Sequence, residues 1–322
     1  MNTTEFIKTA DALSKAAEPF LFLIDFEMQQ PRLWLPHQVD ADELLFSING
    51  FTNAPIVKSV KEFSFQIKPI DDTAYQLKFN KVMHHLHYGN SFLTNLTVKS
   101  QIEINASLKE LFFQVTAPYR CWLRNQFLFF SPESFIKIAE GKIYAYPMKG
   151  TIDADRADAA AVILNSEKEK AEHVTIVDLI RNDLAQVAAN VQVSRFRYLD
   201  KIKTNRNSIL QVSSEVTGEV LPEYQQKIGS LLAVLLPAGS ISGAPKKKTV
   251  SIIQEAEQNL RGYYTGVFGY FDGHNLDSCV NIRFIEQQDD SLYYRSGGGI
   301  TAQSNWQAEY NEVIQKIYVP VN

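Results

Sequence analysis

Apolar residues recur along the chain with two different periods. Between Asp71 and His87 they fall at Tyr75, Leu77, Val82 and Leu86. That is a helical spacing, with Asp71 or Asp72 placed to cap it and Gly89-Asn90 to end it. Between Lys61 and Ile70 they alternate instead, at Phe63, Phe65 and Ile67, as in a half-buried strand. The same reading predicts helices over 1–17, 108–111, 166–188, 221–235, 245–258 and 305–317. It predicts strands over 20–26, 61–70, 91–97, 112–116, 121–130, 135–146, 191–199, 208–220, 262–272, 277–285 and 291–296, with short strands and turns in 27–60. Strand runs and helices interleave without a regular strand–helix–strand period. The expectation is therefore an α+β fold with mostly antiparallel sheets, in a single domain spanning 1–322.

Composition narrows the class. The chain has 322 residues, 45% of them hydrophobic, with 20 Phe and 14 Tyr, enough for a substantial core. A net charge of -4 and the absence of a basic stripe interleaved with aromatics argue against nucleic acid. Lys246-Lys247-Lys248 reads as a solvated patch. No stretch reaches the ~18 apolar residues of a membrane span, and Met1–Ala17 lacks the apolar core of a signal peptide. Cys121 and Cys279 make no disulfide framework. The expectation is a cytoplasmic protein with reduced thiols.

Several short stretches carry chemistry. Pro147-Met148-Lys149-Gly150-Thr151 puts a lysine between an apolar run and a turn, and Ser131-Pro132-Glu133 puts a carboxylate in a similar setting. Such a lysine is either an ordinary surface cation, the commoner case, or a nucleophile if burial or neighbouring cations lower its pKa. Glu133 would be its acid/base partner. Glu169 and Glu172 lie three apart on one predicted helix, Glu309 and Glu312 three apart on another, so each pair shares a face. These pairs are either solvated or, if they converge, hold a hard cation such as Mg²⁺. Lys316 continues the second stripe and pairs with Glu312 or with a bound anion. Gly297, Gly298 and Gly299 form either an anion-binding nest or a turn after strand 291–296. Arg283 reads as a lone arginine in an apolar strand, in need of a counter-anion. His84, His85 and His87 read as a solvated helix end. Arg181, Asn182 and Asp183 read as a polar network closing a helix. Gly239 to Lys246 lacks the lysine placement of a phosphate loop, which argues against a nucleotide.

Ser131 to Glu133, Pro147 to Thr151, Ala171 to His173 with Asp178 to Asp183, Gly239 to Lys246, Arg261 to Gly266, Ile282-Arg283, Gly297 to Ile300 and Ala308 to Tyr310 together resemble the ordered motifs of the chorismate-utilising enzymes. That family includes anthranilate, aminodeoxychorismate, isochorismate and salicylate synthases. The likeness runs from about Phe65 to the C-terminus, which would make 65–322 the catalytic core and 1–64 a shortened N-terminal segment. By this resemblance Glu133 is the general acid/base. Glu172 and Glu312 are Mg²⁺ ligands, with Glu169 and Glu309 behind them. Arg283, Tyr264, Gly297, Gly298, Gly299 and Lys316 hold carboxylates of the substrate, and Thr151 and Ser242 line its site. Lysine before Gly150-Thr151 marks the aminodeoxychorismate synthases, where it adds to C2 of chorismate, the C4 hydroxyl leaves, ammonia adds at C4 and the lysine is expelled. The implied partners are chorismate, ammonia and a separate glutaminase subunit, on the route to p-aminobenzoate and folate. Two departures stand out. Gln211 occupies a position where many members have histidine. Leu93 occupies the position of the water-activating lysine of isochorismate and salicylate synthases, which argues against those activities. The short N-terminal segment implies no tryptophan site. An anthranilate synthase component I, or a non-catalytic chorismate-binding subunit, are the alternatives.

Overall fold

The computed structural model describes residues 1–56, 63–203 and 208–320, without the side chains of Thr151, Lys168, Ile202, Lys203 and Ile209. In chain order the elements are α1 (Thr3–Lys15), β1 (Phe20–Ile24), β2 (Arg32–Trp34), β3 (Leu44–Ile48), β4 (Phe51–Thr52), β5 (Phe65–Lys68), α2 (Asp72–His87), β6 (Leu93–Ile104), α3 (Leu108–Gln114), β7 (Tyr119–Leu123), β8 (Phe127–Ser131), β9 (Ser134–Ala139), β10 (Lys142–Ala145), β11 (Met148–Asp153), α4 (Ala159–Asn165), α5 (Glu167–Leu184), β12 (Ala188–Lys203), β13 (Ser208–Val220), α6 (Ile228–Leu235), α7 (Gly239–Ser242), β14 (Gly243–Ala244), α8 (Lys246–Glu257), β15 (Val267–Phe271), β16 (Leu276–Val280), β17 (Phe284–Gln288), β18 (Ser291–Ile300) and α9 (Trp306–Gln315).

The strands form two antiparallel sheets, which bears out the α+β expectation. The first runs β11-β13-β10-β9-β16-β15-β1-β2, with β12 on β13, and the second runs β14-β6-β18-β17-β8-β7-β3-β4, with β5 on β6. Their facing sides share one apolar layer, with Leu21, Leu23 and Phe268 from the first sheet against Phe46, Phe129 and Phe284 from the second. Complete burial of each such side chain contributes on the order of 1.5–3 kcal/mol. Helices α1, α5 and α6 cover the outer face of the first sheet through Phe6, Val177, Leu231 and Leu232. Helices α2, α8 and α9 pack against β6 and β18 through Phe79, Ile252 and Val313.

The chain passes between the sheets twice at one seam. It leaves the second sheet after Ser131 and enters the first at Ser134; it leaves the first after Val280 and enters the second at Phe284. The two crossings are tied by backbone hydrogen bonds, Val280 N–H to Glu133 O (3.1 Å) and Phe130 N–H to Arg283 O (3.1 Å).

Several elements differ from expectation. Residues 112–114 continue helix α3 and do not form a strand, because Ser107 caps Glu110 and its carboxylate returns to the Ser107 N–H. The predicted strand 277–285 is interrupted: 277–280 belongs to β16, 284–285 opens β17, and 281–283 is the second crossing, so Arg283 sits between strands, at φ 55°, and not within one. The predicted helix 221–235 forms only from Ile228, and strand 262–272 only from Val267. Strand 291–296 runs on to Ile300, so the three glycines are strand, without the φ reversal a nest needs. Residues 57–62, within the predicted short strands and strand 61–70, lie outside the described residues.

Candidate active site

Lys149 stands at a β-bulge. Met148 pairs with Ser213 and Thr151 with Gln211, so Lys149 and Gly150 together oppose one residue. Gly150 adopts φ 89°, and a Cβ there would stand 2.7 Å from Glu169 Oε2. Only glycine combines that backbone with so close a carboxylate. Helix α5 lies over the bulge, capped by Ser166, which accepts from the Glu169 N–H. The helix directs Glu172 Oε2 to 3.0 Å from Lys149 Nζ.

The second pair comes from α9, capped by Asn305. Ser304 donates to Glu309 Oε1 at 2.7 Å, and Lys316 Nζ lies 2.7 Å from Glu312 Oε1 while also donating to Gly297 O at 2.9 Å. A Cβ on Gly298 would stand 3.5 Å from Glu309 Oε2 and 3.7 Å from both Glu312 Oε1 and Lys316 Nζ. The glycine strand therefore serves by leaving space beneath α9.

Three of these four carboxylates act on Lys149. Burial works to lower its pKa, but Glu172, Glu312 and Glu169 together win and hold it above the ordinary lysine value. This arrangement keeps Lys149 an ammonium, against the lowered pKa that a free nucleophile requires. Lys316 goes the other way: burial, Arg283 and Lys149 outweigh Glu312 and lower its pKa.

The donor set is chemically suited to Mg²⁺, since all four side chains offer carboxylate oxygens. The geometry here is that of ion pairs: among the described residues no three acidic, histidine or cysteine side chains are grouped closely enough to hold a metal. A divalent ion would have to take the carboxylates from the ammonium groups.

Glu133 lies at the seam, half-buried, between β8 and β9. Ser240 donates to its Oε1 at 2.7 Å. Burial raises the carboxyl above its ordinary range, opposed by the Ser240 hydrogen bond and by the charges of Arg283 and Lys316. Arg283 packs over Tyr318, 5.2 Å from the ring centre, and donates to its hydroxyl at 3.2 Å.

The other residues singled out from the sequence sit in the walls. Ser242 is fully buried, donating to Ala238 O at 2.8 Å. Tyr264 is packed against Phe284, with Arg295 over its ring, and burial pushes its phenol up to about 12. Gln211 lies opposite Thr151 on β13, and the Thr151 side chain lies outside the described residues. Leu93 opens β6, opposite Ala244.

Three participants were not picked from the sequence as parts of the site: Ser240, Asp183 and Arg261. Asp183 does join a polar network, but through Lys246 Nζ at 2.8 Å, while Arg181 and Asn182 turn to Asp178. Lys246 is thereby half-buried, unlike the exposed Lys247 and Lys248. A separate pocket of about 450 Å³, lined by Phe127, Arg261, Tyr263 and Arg295 among others, contains neither Lys149 nor Glu133 nor any of the four helix glutamates.

Two crossings between the sheets, a bulged lysine and two carboxylate-bearing helices thus lie close together near one seam. The chain belongs to the family of chorismate binding enzymes, whose pattern matches residues 24–322. It is 51% identical over 323 residues to an uncharacterised PabA-like protein of Pasteurella multocida, covering 100% of both chains. It is 33% identical over 258 residues to aminodeoxychorismate synthase component 1 of Salmonella typhimurium, covering 76% of this chain and 56% of that one. In fold it is similar to an isochorismate synthase of Bacillus anthracis, with a TM-score of 0.73 at 19% identity over 98% of this chain and 88% of that one. No helix among the described residues is long and apolar enough to cross a membrane.

Proposed function

We propose that the chain is an aminodeoxychorismate synthase component I, converting chorismate and ammonia to 4-amino-4-deoxychorismate and water. The observation that carries this reading is the bulge, which aims Lys149 into the space shared by Glu172, Glu312 and Glu169. In the reaction, a neutral Lys149 amine forms a bond to C2 as the ring double bonds shift and the C4–O bond breaks. Glu133 gives its proton to the departing hydroxyl, which leaves as water. Ammonia then bonds to C4, the double bonds shift back and the C2–N bond breaks, returning Lys149. Because the carboxylates hold Lys149 as an ammonium, the activating event is its release from Glu172 with loss of one proton to solvent; Glu133 regains its proton from the ammonium formed when ammonia bonds to C4. Glu172 and Glu312 would hold Mg²⁺, with Glu169 and Glu309 supporting them. When bound, the ion would bind the ring carboxylate and neutralise the acidic pairs. Arg283, Lys316 and the open floor at Gly298 suit a second substrate carboxylate. A separate glutaminase chain would supply ammonia.

The likeness to the Salmonella aminodeoxychorismate synthase component 1 supports this reading. The test is product analysis with chorismate, Mg²⁺ and ammonium ions. The expected product is 4-amino-4-deoxychorismate; anthranilate as the sole product would sink the assignment in favour of anthranilate synthase component I. Binding of chorismate with no turnover would point to a non-catalytic subunit.

A further inference from the structure

The turn α7 carries no charge, yet two ion pairs grip it, one fully buried and one partly. On one side Asp183, paired with Lys246 at 2.8 Å, faces the Gly239 N–H, and a Cβ on Gly239 would stand 2.7 Å from Asp183 Oδ2. Lys246 also donates to Leu235 O at 2.8 Å, fixing the chain just ahead of the turn. On the other side Arg261, among the largest fully buried side chains, donates to Ile241 O at 2.8 Å. The same guanidinium pairs with Glu257 at 2.6 Å and donates to Asn95 O at 2.7 Å, and Glu257 Oε1 accepts from the Thr97 N–H at 2.8 Å. Asn95 and Thr97 lie opposite Gly299 and Gly297. Buried charge is expensive unless paired and hydrogen-bonded, so the buried Arg261–Glu257 pair, with the partly buried Lys246–Asp183 pair opposite, fixes these four residues closely. Ser240 lies between the two grips. Its Oγ meets Glu133 Oε1 at 2.7 Å, across from a different sheet crossing.

We propose that Ser240 is a positioning residue for Glu133. By donating to Oε1 it reserves Oε2 for the proton that passes to the substrate. This rests on the reading of Glu133 as the acid. In the step, the Oε2–H bond breaks and an O–H bond forms on the departing hydroxyl. Glu133 is left as a carboxylate that still accepts from Ser240. The hydrogen bond thus persists through both protonation states and holds the carboxyl plane while its charge changes. Asp183 and Arg261 act only through the turn. The other groups facing Glu133 are Arg283 from the second crossing, Lys316 from the end of α9 and the Cys279 thiol of β16.

The experiment compares Ser240→Ala, Ser240→Thr and Glu133→Gln in the full chain, with chorismate, Mg²⁺ and ammonium ions. Ser240→Ala is expected to lower kcat about 10-fold, the scale of one lost hydrogen bond, with KM little changed. Because it removes a donor that favours the carboxylate, it also moves the Glu133-dependent limb of the pH profile to higher pH. Ser240→Thr keeps the hydroxyl and is expected to restore both. In a Glu133→Gln background, Ser240→Ala is expected to add little. An unchanged kcat and pH profile in Ser240→Ala, beside an impaired Glu133→Gln, overturns the role of Ser240 alone. Full activity in Glu133→Gln overturns the reading of Glu133 and this inference with it. If Ser240→Ala fails to fold, Ser240→Cys decides, since it keeps the volume with a weaker donor: wild-type kcat and pH profile there overturn the proposal, and an intermediate loss supports it.

Discussion

Lys149 Nζ lies 3.0 Å from Glu172 Oε2, although one stands on a strand bulge and the other on the helix above it. A lysine held this way is a resting cation. Lys149→Met is therefore expected to abolish amination of chorismate, or divert it towards anthranilate-type products. Product analysis checks this, and unchanged kinetics would remove Lys149 from the reaction.

Magnesium should compete with that ion pair. Thermal melts in rising Mg²⁺ are expected to show an increasing Tm, about 2.7 kcal/mol of added stability at 100 times the dissociation constant. Glu172→Gln and Glu312→Gln are each expected to reduce the increase strongly. A Tm indifferent to Mg²⁺ in the unaltered protein would count against the carboxylates as ligands.

Two glycines should respond differently to alanine. At Gly150, φ is 89° and the new Cβ would stand 2.7 Å from Glu169 Oε2, so Gly150→Ala is expected to cost about 1–3 kcal/mol in urea unfolding. At Gly298 the nearest atom would be 3.5 Å away, an ordinary contact. Gly298→Ala should fold with nearly unchanged stability and raise KM, because the methyl group takes space under α9.

Burial raises the Glu133 carboxyl, and this has a sign in stability. The folded state binds the proton more tightly than the unfolded chain, whose value is about 4.3. The stabilisation is fully present below that pH and is lost as pH rises through the folded value. Glu133→Gln should therefore melt higher than the unaltered protein near neutral pH, with the gap closing towards pH 4. A constant gap across that range would contradict the raised carboxyl.

Arg261 and Glu257 form a buried pair at 2.6 Å. Arg261→Met alone strands a buried carboxylate and is expected to cost about 3–5 kcal/mol in denaturant unfolding. Adding Glu257→Leu should recover much of that stability without recovering activity, since Ile241 O loses its donor in both.

Much of this was legible in local sequence. The carboxylate pairs follow from a spacing of three on helices with visible caps at Ser166 and Asn305. The glycine-flanked lysine was visible as well. What local pattern lacks is the partner. Residues 297–299 look like a turn until β6 pairs them, since only a neighbouring strand can hold three glycines extended. Phe112 and Phe113 suit a strand by type, but a capping box three residues wide decides for helix. Ser240 and Ser242 stand two apart in one loop. Which hydroxyl meets Glu133 depends on Arg261 and Asp183, both distant in sequence.

The bulge at Lys149 and Gly150 makes the aim of the lysine a matter of parity. Side chains along a strand alternate faces, so one inserted residue reverses the face of everything that follows it. Removing a single residue between Met148 and Thr151 would restore a straight ladder with β13 and reassign odd and even positions downstream. For this chain, chemistry at that strand is written in the count of residues as much as in their identity.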